Sequence, residues 1–142
     1  MSARRLLLFR SAGMVFGIDA DMAREILPVR AATRIPGAVP AIRGLVNVRG
    51  LLVTLVDAAV AMGLAERPSP AAEAVLLLDY ASRRVGLVVD EVLDLVAVDE
   101  ASLDGSAALP GVRPDVVRAV GSAADRPFVE LDTSALLEPL LP

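Results

Sequence analysis

The chain has 142 residues, 55% of them hydrophobic, with a net charge of -4 and only 3% aromatic residues. A chain this long fits one domain that can bury roughly two-thirds of its unfolded surface without staples. It contains no Cys, His, Trp or Lys, so all 14 positive charges are Arg; this removes Cys and His nucleophiles, Schiff-base lysines, the P-loop lysine and nearly every zinc site, while the acidic balance and scarce aromatics argue against nucleic acid as a partner.

At the start, Arg4-Arg5 precede a short apolar run that Arg10 ends, too short for a secretory signal; the doublet reads as solubilising charge and the run as a first strand. Strands Leu6–Arg10 and Met14–Ile18 flank Ser11-Ala12-Gly13, a three-residue hairpin loop with Gly at the position of positive φ. Asp21–Leu27 is a helical turn or a strand, stopped by Pro28, and Thr33–Ala41, with Pro36, Gly37 and Pro40, is a connecting loop.

Ile42–Asp57 is the most informative stretch. Two Arg-Gly steps, Arg43-Gly44 and Arg49-Gly50, surround two β-rich runs, which makes a hairpin with positive charge at its base and tip. Leu45–Arg49 alternates, with Val46 and Val48 on one face and Leu45, Asn47 and Arg49 on the other. Leu51–Val56 is apolar on both faces except Thr54, the pattern of a strand buried on both sides. A buried hairpin with a polar, Arg-bearing edge suits docking better than chemistry. Asn47 is the only Asn of the chain; it is either paired to a loop backbone or offered to a partner. Gly44 and Gly50 read as residues that the backbone shape requires.

Asp57 can N-cap a short helix over Ala58–Met62 that Gly63 ends, and Glu66–Ala72, with Pro68 and Pro70, is the expected flexible loop. Leu51–Leu64 is broken by Asp57 and too short to cross a bilayer, so no direct membrane insertion is expected and the cytoplasm is the default location. Val75–Asp79 and Val85–Val89 form another hairpin around Ser82-Arg83-Arg84, and Glu91–Val98 is a further extended run. A Gly/Pro loop, Ser102–Pro114, leads to Val116–Gly121 and Pro127–Leu131, joined through Ser122–Arg126; Asp132 or Thr133 then caps a last helix, Ser134–Leu141. Nine to eleven strands punctuated by turns predict an all-β fold of two packed five-stranded barrels, SH3-like in size, with short helices, although no sequence repeat proves a duplication.

In order, these pieces resemble the CheW-like domain of bacterial chemosensory systems over nearly the whole chain. The resemblance is carried by Phe9, Phe16-Gly17-Ile18-Asp19, Arg24-Glu25-Ile26-Leu27, Ile35-Pro36, Arg43 to Gly50, Val53 to Asp57, Val85 to Val92, Val120-Gly121 and Phe128-Val129-Glu130-Leu131-Asp132. It implies a single two-barrel domain without enzymatic activity or cofactor. Such a scaffold bridges the cytoplasmic tip of a chemoreceptor and the regulatory domain of a CheA-type histidine kinase. It places partner binding at Glu25, Arg43, Gly44, Asn47, Arg49, Gly50, Val89, Asp90 and Val92. The chain departs from many relatives at Gly37, Val39, Ala41, Thr54 and Ala58, around the hairpin where partners are expected to dock. An adaptor for a chemosensory-like pathway governing motility, development or biofilm formation is the alternative within the family. A carboxylate-dependent metal enzyme built on Asp90, Glu91, Asp94, Asp99 and Glu100 is the alternative from another class; the series lacks the spacing and central Gly of a calcium loop and reads better as a solvated strand edge and turn.

Overall fold

The computed structural model describes residues 3–29, 31–64, 73–105 and 109–141; the expected flexible loop Glu66–Ala72 lies outside them. The strands, in chain order, are β1 (Ala3–Ser11), β2 (Met14–Asp19), β3 (Ala23–Pro28), β4 (Ile42–Val48), β5 (Leu51–Asp57), β6 (Ala74–Tyr80), β7 (Arg83–Val89), β8 (Glu91–Asp99), β9 (Val117–Ala123) and β10 (Arg126–Leu131). Two short helices, α1 (Ala58–Ala61) and α2 (Thr133–Leu137), follow β5 and β10. The ambiguous stretch after β2 contains both alternatives: a 3-10 turn over Ala20–Met22, then β3.

Two five-stranded sheets result, in the orders β8-β1-β2-β10-β9 and β3-β6-β7-β5-β4. The two orders are the same arrangement met twice. In each, a hairpin (β1-β2 or β6-β7) lies parallel to the second strand of a later or earlier hairpin (β10 or β5), and the outer strand beside it comes from the other half of the chain. The registers agree as well: Phe16 and Gly17 pair with Val129 and Glu130, as Val85 and Gly86 pair with Thr54 and Leu55. The duplication that the sequence does not prove is therefore present in the topology, the second sheet being the continuous run β3–β7 and the first joining β1-β2 from the start of the chain to β8–β10 from its end.

All four hairpins turn on two residues, both at positive φ: Ala12-Gly13, Arg49-Gly50, Ala81-Ser82 and Ala124-Asp125. These are the turns whose twist matches that of the flanking strands. The first is thus a two-residue turn, with Ser11 paired to Met14, rather than the three-residue loop expected. Arg83 and Arg84 lie within β7, not in a turn. Asp57 and Asp132 each N-cap the helix after them, accepting from Val60 N at 3.2 Å and Ala135 N at 3.1 Å. The second helix begins at Thr133 and ends at Leu137, short of the expected end at Leu141, because a turn over residues 138–140 follows.

Side-chain alternation sorts the apolar residues into three cores. Leu27, Val46, Val48, Val53, Leu55, Val75, Leu77 and Val88, drawn from all five strands, fill the inside of the second sheet, and Leu6, Leu8, Val98 and Phe128 fill the inside of the first. Because both outer strands of each sheet contribute to one core, β9 through half-buried Ala123, each sheet curls on itself as a barrel with an open seam. The opposite faces share a large central core containing Phe9, Phe16, Ile18, Val56, Leu76, Leu78, Val85, Leu87 and both helices, in which the Phe9 and Phe16 rings lie 5.9 Å apart. The strands buried on both faces are hence β6 and β7. The return strand β5 is not: Leu51 and Leu52 are 48% and 70% exposed, because its pairing with β7 starts only at Thr54 and the tip projects beyond it.

Each seam is crossed by a two-hydrogen-bond backbone bridge, Thr33 with Leu45 at 2.8 Å both ways and Asp104 with Val120 at 2.9 and 2.8 Å. Charged pairs accompany them. In the first sheet Arg4 is no free terminal charge: its Nη1 and Nη2 each donate to the carboxylate of buried Glu130 at 2.7 Å.

Candidate interaction surfaces

The β4-β5 hairpin carries most of the residues singled out in the sequence. At its base, Arg43 donates to Asp57 Oδ2 at 2.9 Å and to Glu73 at 2.9 and 3.2 Å. The hydrogen bond to Glu73, opposed by partial burial, raises the guanidinium's pKa. Arg43 therefore ties β4 to the helix cap of α1 and to the start of β6 and is engaged within the chain. Gly44 sits at a bulge, where the register of β4 on β5 shifts between Ile42 and Gly44, and has φ 141°. A Cβ there would collide with the Thr33 carbonyl, so only glycine admits the bridge at the seam.

At the tip the arrangement is open. Arg49 and Gly50 form the turn, and Asn47 Oδ1 accepts from Gly50 N at 2.8 Å, so this amide serves the local backbone. The Arg49 guanidinium reaches across the seam to Glu25 on β3, Nη1 standing 3.2 Å from Oε2 and Nη2 donating to Oε1. That hydrogen bond holds the Glu25 carboxyl below the usual carboxylate range. Around this exposed pair stand the apolar side chains of Leu51 and Leu52.

Glu25 also borders a second feature, an open groove of about 280 Å³ between the sheets, lined by Arg5, Leu7, Ala20, Ala23, Arg24, Glu25, Ile26 and Leu95. One wall is β3 of the second sheet; the other is β1 and β8 of the first. Ile26 and Leu95 are large apolar residues left exposed along it. Neither was singled out in the sequence, although strand alternation along Arg24-Glu25-Ile26-Leu27 places Ile26 on the face opposite Leu27, which lies in the core.

The remaining assigned residues are elsewhere. Val89 is 1% exposed in the central core and Val92 packs against it. Asp90, between β7 and β8, accepts from Ala12 N at 3.1 Å, and its own N–H donates to Arg10 O at 3.0 Å; it fastens the crossover between the sheets. The structure thus brings Glu25, Asn47, Arg49 and Gly50 together and leaves Val89, Asp90 and Val92 apart from them. Of the acidic series, Glu91 pairs with Arg10 at 2.7 Å, Asp99 caps the turn Glu100–Ser102, and Glu100 faces Arg4 and Arg118. Among the described residues no three Asp or Glu converge as a metal site would need, and no helix is long and apolar enough to cross a membrane.

Two small β-lobes with an open groove between them and an exposed hairpin flanked by Leu51 and Leu52 are the build of a scaffold that binds other proteins. The family model described as the CheW-like domain matches residues 5–140, and the chain belongs to that family, whose members are non-enzymatic scaffolds. It is 24% identical over 140 residues to the chemotaxis protein CheW of Bacillus subtilis, covering 96% of this chain and 88% of that one. With the chemotaxis protein CheW of Rhizobium meliloti it shares 30% identity over 97 residues, 68% of this chain and 63% of the relative. The scaffolding protein TtCheW from Thermoanaerobacter tengcongensis has the same fold, with a TM-score of 0.86 at 20% identity, covering 96% of this chain and 94% of that one.

Proposed function

We propose that this chain is a chemosensory adaptor that couples a chemoreceptor to a CheA-type histidine kinase in the cytoplasm. The match to the CheW-like domain over residues 5–140 carries this reading, and the two open surfaces suit it. The inter-sheet groove, with Ile26 and Leu95 along its walls, fits the apolar stripe of a helical receptor tip. The hairpin tip, with Leu51, Leu52, Asn47 and the Glu25–Arg49 pair, fits the matching lobe of the kinase's regulatory domain: apolar area at the centre and charge at the rim. Arg43, Gly44, Gly50, Val89, Asp90 and Val92 serve these surfaces by holding their shape. Control of the kinase follows from the geometry in which receptor and kinase are held, not from chemistry on the adaptor.

The test is reconstitution. Purified chain, kinase and receptor fragments from the same cell should co-sediment as a ternary complex in which phosphorylation by the kinase responds to the receptor. Kinase and receptor that assemble and respond equally without the chain would overturn the proposal.

A further inference from the structure

Glu130 is a carboxylate placed where the duplication calls for a hydrocarbon. In the parallel ladders it pairs with Gly17 as Leu55 pairs with Gly86, and it is as buried as Leu55, at 1% exposed. Arg4 meets it with two parallel hydrogen bonds of 2.7 Å, and Arg118 Nε on the outer strand β9 stands 3.9 Å away. Glu100, just beyond the other outer strand β8, lies 3.6 Å from Arg4 Nε and 3.7 Å from Arg118 Nη2. Arg4 Nε itself is buried and makes no hydrogen bond. The four side chains thus span the seam of the first sheet, joining β10, β1, β9 and the end of β8.

Strand alternation gives this network a second consequence. On β1, Arg4 and Leu6 point into the first lobe, while Arg5 and Leu7 line the groove between the lobes. The rest of that wall is Leu95 on β8, the strand that runs on into Glu100. The network therefore holds both strands of one groove wall from behind. A leucine at this place would fill the lobe through non-directional contacts; a bidentate guanidinium–carboxylate pair allows one geometry.

We propose that Arg4, Glu130, Glu100 and Arg118 form an ionic clasp that positions the first-sheet wall of the groove, so that its shape depends on residues that do not line it. Arg4 and Glu130 are then positioning residues for whatever helix the groove takes. The clasp itself is read from the isolated chain; only its effect on binding rests on the groove's being the receptor site.

Amide hydrogen exchange on the full chain separates the two. Replacing the clasp by the apolar pair R4L/E130L, which copies the Leu55 of the second lobe, should accelerate exchange of the amides of Arg5–Leu8 and Leu93–Val98 by about tenfold relative to those of β6 and β7. The exposed change Glu100→Ala should do so by about threefold and keeps the test decisive if the double variant does not fold. Uniform acceleration over both sheets, or none, would overturn the clasp. A synthetic helical hairpin with the sequence of a chemoreceptor tip is the binding probe. R4L/E130L, with every groove residue intact, should bind it about tenfold more weakly, a loss of about 1.4 kcal/mol. Equal binding by both proteins would overturn the link from clasp to groove, and no binding by the wild type would overturn the groove as receptor site while the exchange result still decides the clasp.

Discussion

Arg49, in the turn of the β4-β5 hairpin, and Glu25, on β3, lie on opposite outer strands of the second sheet and close its seam with an ion pair. The Arg49 side chain is largely in water and that of Glu25 partly so, and pairs so exposed contribute little to folding. Their position beside Leu51 and Leu52 makes them suited to recognition. Arg49→Glu should therefore melt within a few degrees of the wild type and lose kinase or receptor binding by on the order of 2 kcal/mol or more, as charge reversal in a desolvated contact does. The double swap with Glu25→Arg tests whether the two act as a pair: rescued binding means that they do, and unrescued binding assigns each to a different partner. A variant that unfolds would show Arg49 to be structural.

The same pair gives a pH signature. Glu25's pKa is lowered, first by its hydrogen bond to Arg49. A carboxylate depressed in the folded state stabilises the fold above its unfolded pKa, and that contribution is lost as pH falls through the folded value. Nuclear magnetic resonance titration of the Glu25 carboxyl should show its midpoint move up toward 4.5 in Arg49→Ala, with any stability difference from the wild type present above that value and fading as pH falls through the folded midpoint. An unmoved midpoint would mean that the pair does not persist in solution.

Two glycines of the hairpin should respond differently to the same substitution. Gly44 has φ 141° and a backbone carbonyl where a Cβ would stand, whereas Gly50 has φ 86° and no atom within 4 Å of that place. Gly50→Ala should cost about 1–2 kcal/mol, the strain of the left-handed region. Gly44→Ala adds a backbone clash that breaks the Thr33–Leu45 bridge, and should cost on the order of 3 kcal/mol or more. Thermal melting distinguishes them, and equal midpoints would contradict the bulge geometry.

Deleting the first ten residues removes most of β1, which lies between β2 and β8, together with buried Leu6, Leu8 and Phe9. It also strips Arg4 from Glu130, and an unpaired buried carboxylate by itself costs roughly 3–5 kcal/mol. The truncated chain should be insoluble or lose its cooperative transition. A melting midpoint equal to that of the full chain would show that the first strand is dispensable.

Two readings of the sequence fail for a common reason. Leu51-Leu52-Val53 has the apolar run of a strand buried on both faces, as do Leu76-Leu77-Leu78 and Leu87-Val88-Val89; only the register of β5 on β7, starting at Thr54, leaves Leu51 and Leu52 in solvent. Arg4 reads as terminal charge because its partner Glu130 lies at the other end of the chain.

From the sequence alone came whatever depends on near neighbours along the chain. Alternation marked the strands, Gly and polar residues marked the turns between them, and Asp57 and Asp132 marked the helix starts, because each acts through contacts within a few residues. The ordered motifs also carried the family. What only the tertiary structure decided are pairings between distant segments: the joining of β1-β2 to β8–β10 around the continuous run β3–β7, the groove between β3 and β8, the meeting of Arg49 with Glu25, and the buried Arg4–Glu130 contact. Such contacts depend on which strand edges lie together in space, and local propensity does not encode that. The function rests on both, since residues chosen locally become a surface only where the topology sets them side by side.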